Sequence, residues 1–444
     1  MKLLLVQPFL GRPEPPVYPL GLACLATHLS GHELAAVDLN ISASPMAALG
    51  RAVTEADPEA VLLSLRNVDT TWYGDPFYYF PWFQEQVRQI RALARQAHIM
   101  VGGSGFSIFA REIMMRTPEI DVGLLGEGEV ILPKFLAAFQ HPEAFPSLLF
   151  RQNGTVAGGT EVSIASLQDY RRPRYDLFPP ASYLENPLGV GVETKRGCPL
   201  TCSYCTYPHL NGRHVRLIDP ATVVAILAEL RDRHQVRHVV FTDSTFNVPK
   251  APAETLMREI IAAGLDLTWE AYFHESGFDA PFLDLCLKAG CRRFWFSPDG
   301  FTDAALSALQ KMQTAGEVRR VYRLLVERED VAANFSFFWD YPGMRWRDFG
   351  AMIAFYLRHR LQGRRPVAVT FNKIRIEPGT AIQRQAEAEG LIESGDSLLP
   401  PGPADMGRVF YRHPRTRFYD WFYDRLLALQ GRRTPKQKRL AAAH

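Results

Sequence analysis

The chain has 444 residues, of which 47% are hydrophobic and 22% are charged, a composition typical of a globular protein with two or three domains. Lysine and arginine number 50 against 47 aspartates and glutamates, and the formal charge of +3 gives no reason to expect nucleic acid as a partner. No apolar run reaches the length of about 18 residues that crosses a membrane, so we expect no integral membrane segment.

Residues 1–145 alternate short apolar strands with helical segments. Strands are predicted at 2–6, 34–38, 60–65, 98–101 and 122–125, and helices at 18–29, 46–56 and 83–96. This alternation predicts an α/β fold built on a doubly wound parallel sheet. Ligands of such sheets bind beyond the carboxyl ends of the strands, so the loops that follow these strands are candidate binding segments.

Two of these loops have an unusual composition. The loop over 66–83 is dense in tryptophan, tyrosine and phenylalanine, and Gly102–Gly105 (GGSG) directly follows the fourth strand. The glycine loop is neither a dinucleotide fingerprint nor a P-loop, and by itself it indicates a tight turn. The aromatic loop is compatible with a wall around a flat ligand and with a packed lid at a domain interface, and both alternatives stay open.

A linker and a second alternating series follow. An Asn153-Gly154 turn predicts a hairpin at 148–158, and a Pro- and Arg-rich crossing completes a linker over residues 146–185. In residues 186–390, strands are predicted at 189–194, 236–241, 267–273, 293–297, 334–339 and 367–372. Six strands with helices between them predict a partial parallel barrel. Residues 391–444 are predicted to form a small helical region, with a helix over 417–430 and a disordered basic tail.

The segment Lys195–Pro208 contains three of the six cysteines, Cys198, Cys202 and Cys205, in the spacing C-x3-C-x2-C. Three thiolates packed this closely can hold three irons of a cubane iron–sulfur cluster and leave the fourth iron without a protein ligand. Zinc would need a fourth ligand, and His209 follows the cysteines too closely for a zinc finger. Disulfides are not expected in a chain of this length whose other cysteines lie in apolar contexts, and a reducing cytoplasm is the expected compartment.

The cysteine motif, with Tyr204 directly before the third cysteine, resembles the cluster loop of radical S-adenosylmethionine (SAM) enzymes. The resemblance implies a [4Fe–4S] cluster on Cys198, Cys202 and Cys205, with SAM bound at the open iron and cleaved reductively to a deoxyadenosyl radical. It also implies contacts to SAM from residues beside the cluster and at the strand ends, namely Tyr204, Thr242, Asp243, Ser244, Glu270 and Asp299. Asp299 stands where the family often has a glutamate, and Glu270 has the alternative of a structural salt bridge to Arg292 or Arg293.

The N-terminal segment resembles the cobalamin-binding domain that precedes many radical SAM domains. The matching pieces are Tyr18–Leu22 (YPLGL), Val101–Gly103 (VGG) and Gly126–Glu129 (GEGE). The cobalamin contacts that the resemblance implies are Arg66, Asn67, Asp69, Gly102, Gly103, Ser104, Gly126 and Glu127. Members that supply a histidine to cobalt carry D-x-H-x-x-G, whereas Asp38 is followed by Leu39 and Asn40. Either cobalamin binds with no protein ligand to cobalt, or the fold persists without the cofactor.

Together, the two resemblances imply a cobalamin-dependent radical SAM methyltransferase that acts on an unactivated carbon of a small-molecule substrate. They also imply an electron donor such as flavodoxin or ferredoxin as a partner. The radical route requires no protein acid or base, so no catalytic residue is predicted. A radical SAM rearrangement, cyclisation or coupling without methyl transfer is the alternative, and an iron–sulfur redox protein is a third hypothesis.

Overall fold

Two parallel sheets, each flanked by helices, make up most of the chain. The computed structural model describes residues 1–12, 15–139, 141–160, 166–185, 189–362 and 367–431. The predicted basic tail beyond residue 431 and parts of the predicted linker lie outside the described residues. Among the described helices, none is both long and apolar enough to cross a membrane.

The first sheet has seven strands, which are β1 Lys2–Gln7, β2 Glu33–Asp38, β3 Ala60–Ser64, β4 His98–Gly102, β5 Val122–Leu124, β6 Leu148–Gln152 and β7 Thr155–Gly158. They lie in the order β2-β1-β3-β4-β5-β6-β7, and the first five pair in parallel. The helices on its two faces are α1 Leu20–Thr27, α2 Pro45–Ala56, α3 Phe80–Leu93, α4 Ser104–Arg116 and α5 Ile131–Ala137. The predicted doubly wound parallel sheet is therefore confirmed.

The hairpin of β6 and β7 belongs to this sheet. We predict the hairpin as part of the linker, whereas β6 pairs antiparallel with β5, and β7 pairs antiparallel with β6. Leu148 and Leu149 are buried, and the burial of their apolar side chains favours the addition of the hairpin to the sheet. The linker therefore begins later than we predicted.

The second sheet has six strands, which are β8 Val190–Val192, β11 His238–Phe241, β12 Thr268–Phe273, β13 Cys291–Asp299, β14 Ala332–Phe338 and β15 Val367–Asn372. They lie in the order β15-β14-β13-β12-β11-β8, and every pairing is parallel. A separate antiparallel pair consists of β9 Lys195–Arg196 and β10 Arg216–Leu217. This open six-stranded arrangement confirms the predicted partial barrel.

The remaining helices accompany the barrel and the C-terminal region. They are α6 Tyr207–Leu210, α7 Pro220–His234, α8 Lys250–Ala262, α9 Ala280–Lys288, α10 Asp303–Ala308, α11 Ala315–Val326, α12 Trp346–Leu361, α13 Ala381–Ala388 and α14 Arg417–Gly431. The C-terminal region is helical, as predicted.

Strand β12 illustrates how the barrel separates its two surfaces. Trp269, Ala271 and Phe273 are buried in the hydrophobic core, and the Trp269 indole donates to the carbonyl of Ala289 at the end of α9. Successive side chains of a strand point to opposite faces, so Glu270 and Tyr272 point into the barrel. The inner surface is therefore polar and aromatic, as a binding cavity requires.

Candidate functional site

The loop with the three cysteines leaves β9 and returns through α6 to β10. Its shape depends on Gly197, which has a φ of +95° and where a Cβ would lie only 2.0 Å from the carbonyl oxygen of His214. The backbone N–H of Cys198 then donates to the carbonyl of Gly212 at 3.0 Å. Glycine is required at this position because any side chain would clash with the returning strand.

All six cysteines are free thiols, and those of the motif differ in exposure. Cys198 is buried, whereas Cys202 and Cys205 are partly exposed. Burial raises the pKa of Cys202, and it raises that of Cys205 to about 12, so an electropositive metal group is needed to hold these thiols as thiolates. No three metal-ligating side chains among the described residues converge as a single ion requires. A [4Fe–4S] cluster does not need such convergence, because each thiolate binds a different iron.

The segment Thr242–Ser244, at the carboxyl end of β11, braces this loop. The Asp243 carboxylate accepts hydrogen bonds from the N–H and the hydroxyl of Thr194, which lies just before β9. The Ser244 hydroxyl donates to the carbonyl of Gly197 at 3.4 Å. Ser244 thus contacts the loop between β9 and β10, here called the cluster loop, and Asp243 contacts the residue before β9, while Thr242 remains exposed. Their predicted contact with SAM stays a prediction.

Tyr204 and Asp299 meet at the opposite side of the loop. The Tyr204 hydroxyl hydrogen-bonds the Asp299 carboxylate, and the Lys311 ammonium lies 2.7 Å from the same carboxylate oxygen. Lys311 also donates to the carbonyl of Ser297 at 2.6 Å. Burial raises the pKa of Asp299, and Lys311 lowers it. The buried Lys311–Asp299 ion pair and the Tyr204 hydroxyl together hold the end of β13 beside the cluster loop.

Glu270 lies inside the barrel and forms a salt bridge with Arg293, the predicted structural alternative to a SAM contact. Its Oε2 is 3.6 Å from Arg293 Nε and 3.9 Å from His238 Nε2. Burial raises the pKa of Glu270, and the Arg293 guanidinium opposes that shift. Glu270 therefore belongs to an ionic floor of the barrel and makes no described contact with the cluster loop.

Glu127 belongs to an ionic network with the arginines of the β9–β10 pair. Its carboxylate forms a bidentate pair with Arg216 at 2.6 and 2.8 Å and lies 3.5 Å from Arg196. Arg196 also pairs with Glu129 at 2.6 Å and with Glu193 at 2.7 Å. These ion pairs give Glu127 a structural role, and its predicted contact with cobalamin stays a prediction.

Asp69 has a similar structural partner. Arg375, just after β15, reaches it through Nε at 2.9 Å and Nη2 at 2.8 Å, and the N–H of Thr71 donates to its other oxygen at 2.8 Å. Asp69 is 1% exposed. Through this ion pair the aromatic loop joins the first sheet to the C-terminal side of the barrel. The cofactor contact predicted for Asp69 stays a prediction.

The other predicted residues of the first domain do lie together at the carboxyl edge of its sheet. Gly103 has a φ of +99°, and a Cβ there would lie 2.7 Å from the carbonyl oxygen of Leu65. The Ser104 hydroxyl donates to the carbonyl of Arg66 at 2.8 Å. Gly102 ends β4 and Asn67 packs against Gly105, while the N–H of Gly126 donates to Ser107. These contacts position the Arg66 backbone, and its side chain is exposed.

Arg66 of the first domain lies near two tyrosines of the barrel side. Helix α6, which carries Tyr207, lies beside α4 of the first domain. Burial raises the pKa of Tyr272 to about 12, Tyr207 and Glu270 add to the shift, and Arg66 lowers it. Burial also raises the pKa of Tyr207, and Arg66 opposes that shift as well. Tyr207 and Tyr272 are 46% and 48% exposed.

The turn after β2 has no histidine, in agreement with the sequence. Asp38 accepts hydrogen bonds from the backbone and side-chain N–H groups of Asn40 at 2.8 and 3.1 Å and from the Tyr183 hydroxyl. The Asn40 amide in turn donates to the carbonyl of Pro8 at 2.9 Å. The turn is therefore closed by its own hydrogen bonds and offers no ligand to cobalt.

Sequence reasoning missed three basic residues that organise the site: Lys311, Arg216 and Arg375. None of them lies in a motif, and each is identified only by the carboxylate that it meets in the folded chain.

Two family models match the chain. Residues 7–136 match the B12 binding domain, and residues 192–356 match the Radical SAM superfamily. The first matched segment runs from the last residue of β1 into α5, and the second runs from the last residue of β8 into α12.

Curated relatives are distant. An uncharacterised methyltransferase of Pyrococcus horikoshii is 25% identical over 327 residues, which is 70% of this chain and 68% of the relative. The anaerobic magnesium-protoporphyrin IX monomethyl ester cyclase of Synechocystis is 25% identical over 258 residues, which is 56% of this chain and 51% of the cyclase. The chain thus spans about half the length of that cyclase.

Among solved structures, the chain resembles the radical SAM methyltransferase TsrM from Kitasatospora setae, in a form with tryptophan substrate and a SAM analogue bound. The TM-score is 0.77 at 24% identity, over 93% of this chain and 86% of TsrM. This likeness shows the fold, and the two family models show the domains. The chain is therefore a radical SAM protein with an N-terminal B12 binding domain.

Proposed function

We propose that this protein is a cobalamin-dependent radical SAM enzyme that transfers a methyl group to an unactivated carbon of a small molecule. The observation that supports it most is that the two domains meet beside the cysteine loop. Helix α6 lies beside α4 of the B12 binding domain, and Arg66 lies near Tyr207 and Tyr272. A site between two cofactor domains would allow both cofactors to reach one substrate, and it would exclude water, which would quench a radical.

The residues of the cluster loop fit a [4Fe–4S] cluster. Cys198, Cys202 and Cys205 are free and share one loop. Cys202 and Cys205 lie near the Lys311 ammonium, which favours the negative charge of a thiolate-ligated cluster. Tyr204 and Asp299 are held beside the loop, and Thr242–Ser244 border its other side. We infer that these residues bind and orient SAM.

The edge of the first sheet fits a corrin. Its loops approach one another through Gly103 and Gly105, where a Cβ would meet backbone atoms at 2.7 and 2.8 Å. Arg66 and Asn67 lie at this edge, and we infer that they face the lower side of cobalamin. Gly102, Ser104 and Gly126 would then lie between these two residues and the strands. When bound, cobalamin would supply methyl transfer, and the cluster would supply the electron that cleaves SAM.

The inner face of the barrel indicates the kind of substrate. The Tyr272 ring stacks on Trp295 with centroids 6.0 Å apart, and Arg293 lies 5.8 Å from the Trp295 centroid. Below them is the ion pair of Glu270 and Arg293. Large flat walls above a polar floor suit a planar small molecule with a polar group, and TsrM is itself solved with tryptophan.

The proposal also requires a one-electron donor, such as flavodoxin or ferredoxin, and a reducing compartment, for which we propose the cytoplasm. The Lys311–Asp299 pair and the bracing by Asp243 would keep the loop in place during reduction.

Anaerobic reconstitution with iron, sulfide and cobalamin tests the proposal. We expect a corrinoid absorbance band and, with dithionite and SAM carrying a labelled methyl group, formation of 5′-deoxyadenosine and a labelled product from indole-type or other planar substrates. Absence of the corrinoid band from protein that still cleaves SAM would refute methyl transfer. It would favour the alternative of a cyclisation, which the likeness to the cyclase supports.

A further inference from the structure

Three exposed aromatic rings form a continuous surface outside the barrel. Trp346, at the start of α12, is 62% exposed, and Phe418 and Trp421 of α14 are each 51% exposed. The centroids of Trp346 and Phe418 lie 5.3 Å apart, and those of Phe418 and Trp421 lie 6.3 Å apart. We call these three residues the aromatic patch. Exposed large rings grouped in this way indicate an interaction site.

Arginines flank the aromatic patch. The exposed ones are Arg345, Arg347, Arg415, Arg417 and Arg425. The Arg425 guanidinium lies 5.1 Å from the Trp421 centroid. The acidic side chains of the segments 345–349 and 415–425 are Asp348 and Asp420, which are buried, and Asp424, which is exposed. The patch therefore presents a basic surface, and its partner is expected to be acidic.

A series of ring contacts connects the aromatic patch with the cluster loop. Trp346 lies 6.3 Å from Phe349, and Phe349 lies 5.7 Å from Trp339. Phe338, the backbone neighbour of Trp339, lies 4.7 Å from Tyr204, which directly precedes Cys205. Packed aromatic rings and a short stretch of backbone are a good medium for electron tunnelling. The patch is thus joined to the cysteine loop by a few adjacent groups.

We propose that the aromatic patch and its flanking arginines dock the one-electron donor of this enzyme, a small acidic flavoprotein. The inference rests on the proposed function, since an electron needs the cluster as its acceptor. In this step the flavin hydroquinone of the donor is oxidised by one electron to the semiquinone and the cluster is reduced by one, while no group crosses the interface. An anionic membrane or a nucleic acid would match the arginines but would gain nothing from the ring contacts toward Tyr204.

The test compares two double variants of the full chain, reconstituted with the cluster. Arg347→Glu/Arg417→Glu reverses charge at the patch, and Arg51→Glu/Arg95→Glu makes the same change at exposed arginines of the first domain. SAM cleavage is measured against the concentration of a recombinant bacterial flavodoxin, kept reduced by its reductase and NADPH, and in parallel with dithionite. We expect the patch variant to raise the KM for flavodoxin about tenfold or more, in a salt-dependent way, with dithionite rates unchanged.

The outcomes separate this inference from the proposed function. Equal flavodoxin KM values in the patch variant and the wild type overturn the docking surface, whereas a wild type that does not cleave SAM with dithionite refutes the proposed function. If the patch variant does not cleave SAM with dithionite either, the Arg347→Lys/Arg417→Lys variant is used to test docking. It keeps both charges and provides amines for carbodiimide cross-linking to flavodoxin carboxylates. Cross-links at residues 347 or 417 support docking, and cross-links at other lysines alone overturn it.

Direct binding experiments test the two other possible partners of the patch, an anionic membrane and a nucleic acid. Wild-type protein and the Arg347→Glu/Arg417→Glu variant are compared on phosphatidylglycerol vesicles and on a single-stranded oligonucleotide. Loss of such binding in the variant, with unchanged flavodoxin kinetics, would assign the surface to a membrane or a nucleic acid and overturn the proposal.

Discussion

Lys311 Nζ lies 2.7 Å from Asp299 Oδ2, and both side chains are almost fully buried. The same ammonium lies 3.3 Å from the Tyr204 hydroxyl, within the cysteine motif. Burial raises the pKa of Cys202, and Lys311 opposes that shift. One lysine thus connects the end of β13, the aromatic residue of the motif and the charge of the cluster thiolates.

Replacing Lys311 by methionine should damage SAM binding. The buried Asp299 carboxylate would lose its cation. Removing one partner of a buried ion pair lowers the free energy of unfolding by about 3–5 kcal/mol. We expect SAM affinity of the reconstituted protein, measured by calorimetry, to fall at least about tenfold, with partial recovery in Lys311→Arg. Lys288→Met, on the exposed face of α9, is the control. Unchanged SAM affinity in Lys311→Met would contradict the role.

Substitution of Cys198, Cys202 or Cys205 by alanine should abolish the cluster. Each thiolate is expected to bind one iron, so the loss of one leaves an incomplete set. Iron and sulfide content and 5′-deoxyadenosine formation should fall to background together. Cys286→Ala, in the barrel core, should keep both. SAM cleavage by a cysteine variant would disprove the assignment.

Replacing Arg66 by alanine should change the corrinoid environment without changing stability. The side chain is exposed, so its removal costs little folding free energy. We expect a shifted corrinoid spectrum, because water would gain access to the lower face of cobalt, with the melting temperature within about 1 °C of the wild type. An identical spectrum would place Arg66 away from cobalamin.

Replacing Asp69 by asparagine should destabilise the protein and leave cobalamin binding intact. The change leaves the buried Arg375 guanidinium without its full countercharge, at a cost of about 3 kcal/mol or more. A lower melting temperature is expected, with the same corrinoid content per folded molecule. Asp75→Asn, at an exposed position of the same loop, serves as the comparison. Loss of corrinoid at unchanged stability would identify Asp69 as a cofactor contact.

Glu275 should make stability decrease with rising pH. It is 1% exposed, its Oε1 has no hydrogen-bond partner among the described residues, and burial raises its pKa to about 8. Between the ordinary carboxyl value and pH 8 the folded state keeps a proton that the unfolded state has lost, so stability falls as pH rises through this window. The loss over the whole window is on the order of 5 kcal/mol. Glu275→Gln should reduce it, measured as the difference in melting temperature between pH 6 and pH 8.5. An equal pH dependence in both proteins would show that Glu275 ionises normally.

The alternation of apolar strands and helices was sufficient to predict both sheets. Strand β15 and the β6–β7 hairpin lie where we predicted them, because buried apolar runs and an Asn-Gly turn are local signals. Helix α4 was not predicted, since it begins inside the glycine loop at Ser104 and its start resembles a turn. We assigned the hairpin to the linker because the residues of the hairpin do not indicate which other strand it pairs with.

The cysteine spacing likewise sufficed to predict the candidate cluster site, because three ligands on one short loop need no tertiary information. Tyr204 and Asp299 were also named from the sequence, and the structure brings them together. Carboxylates at strand ends were ambiguous, since they look alike whether they face a cofactor or an arginine. Glu127 meets Arg216 after 89 residues, and Asp69 meets Arg375 after 306. Only the tertiary structure decided these partners, and with them Lys311, because a buried charge is neutralised by whichever side chain the fold carries to it.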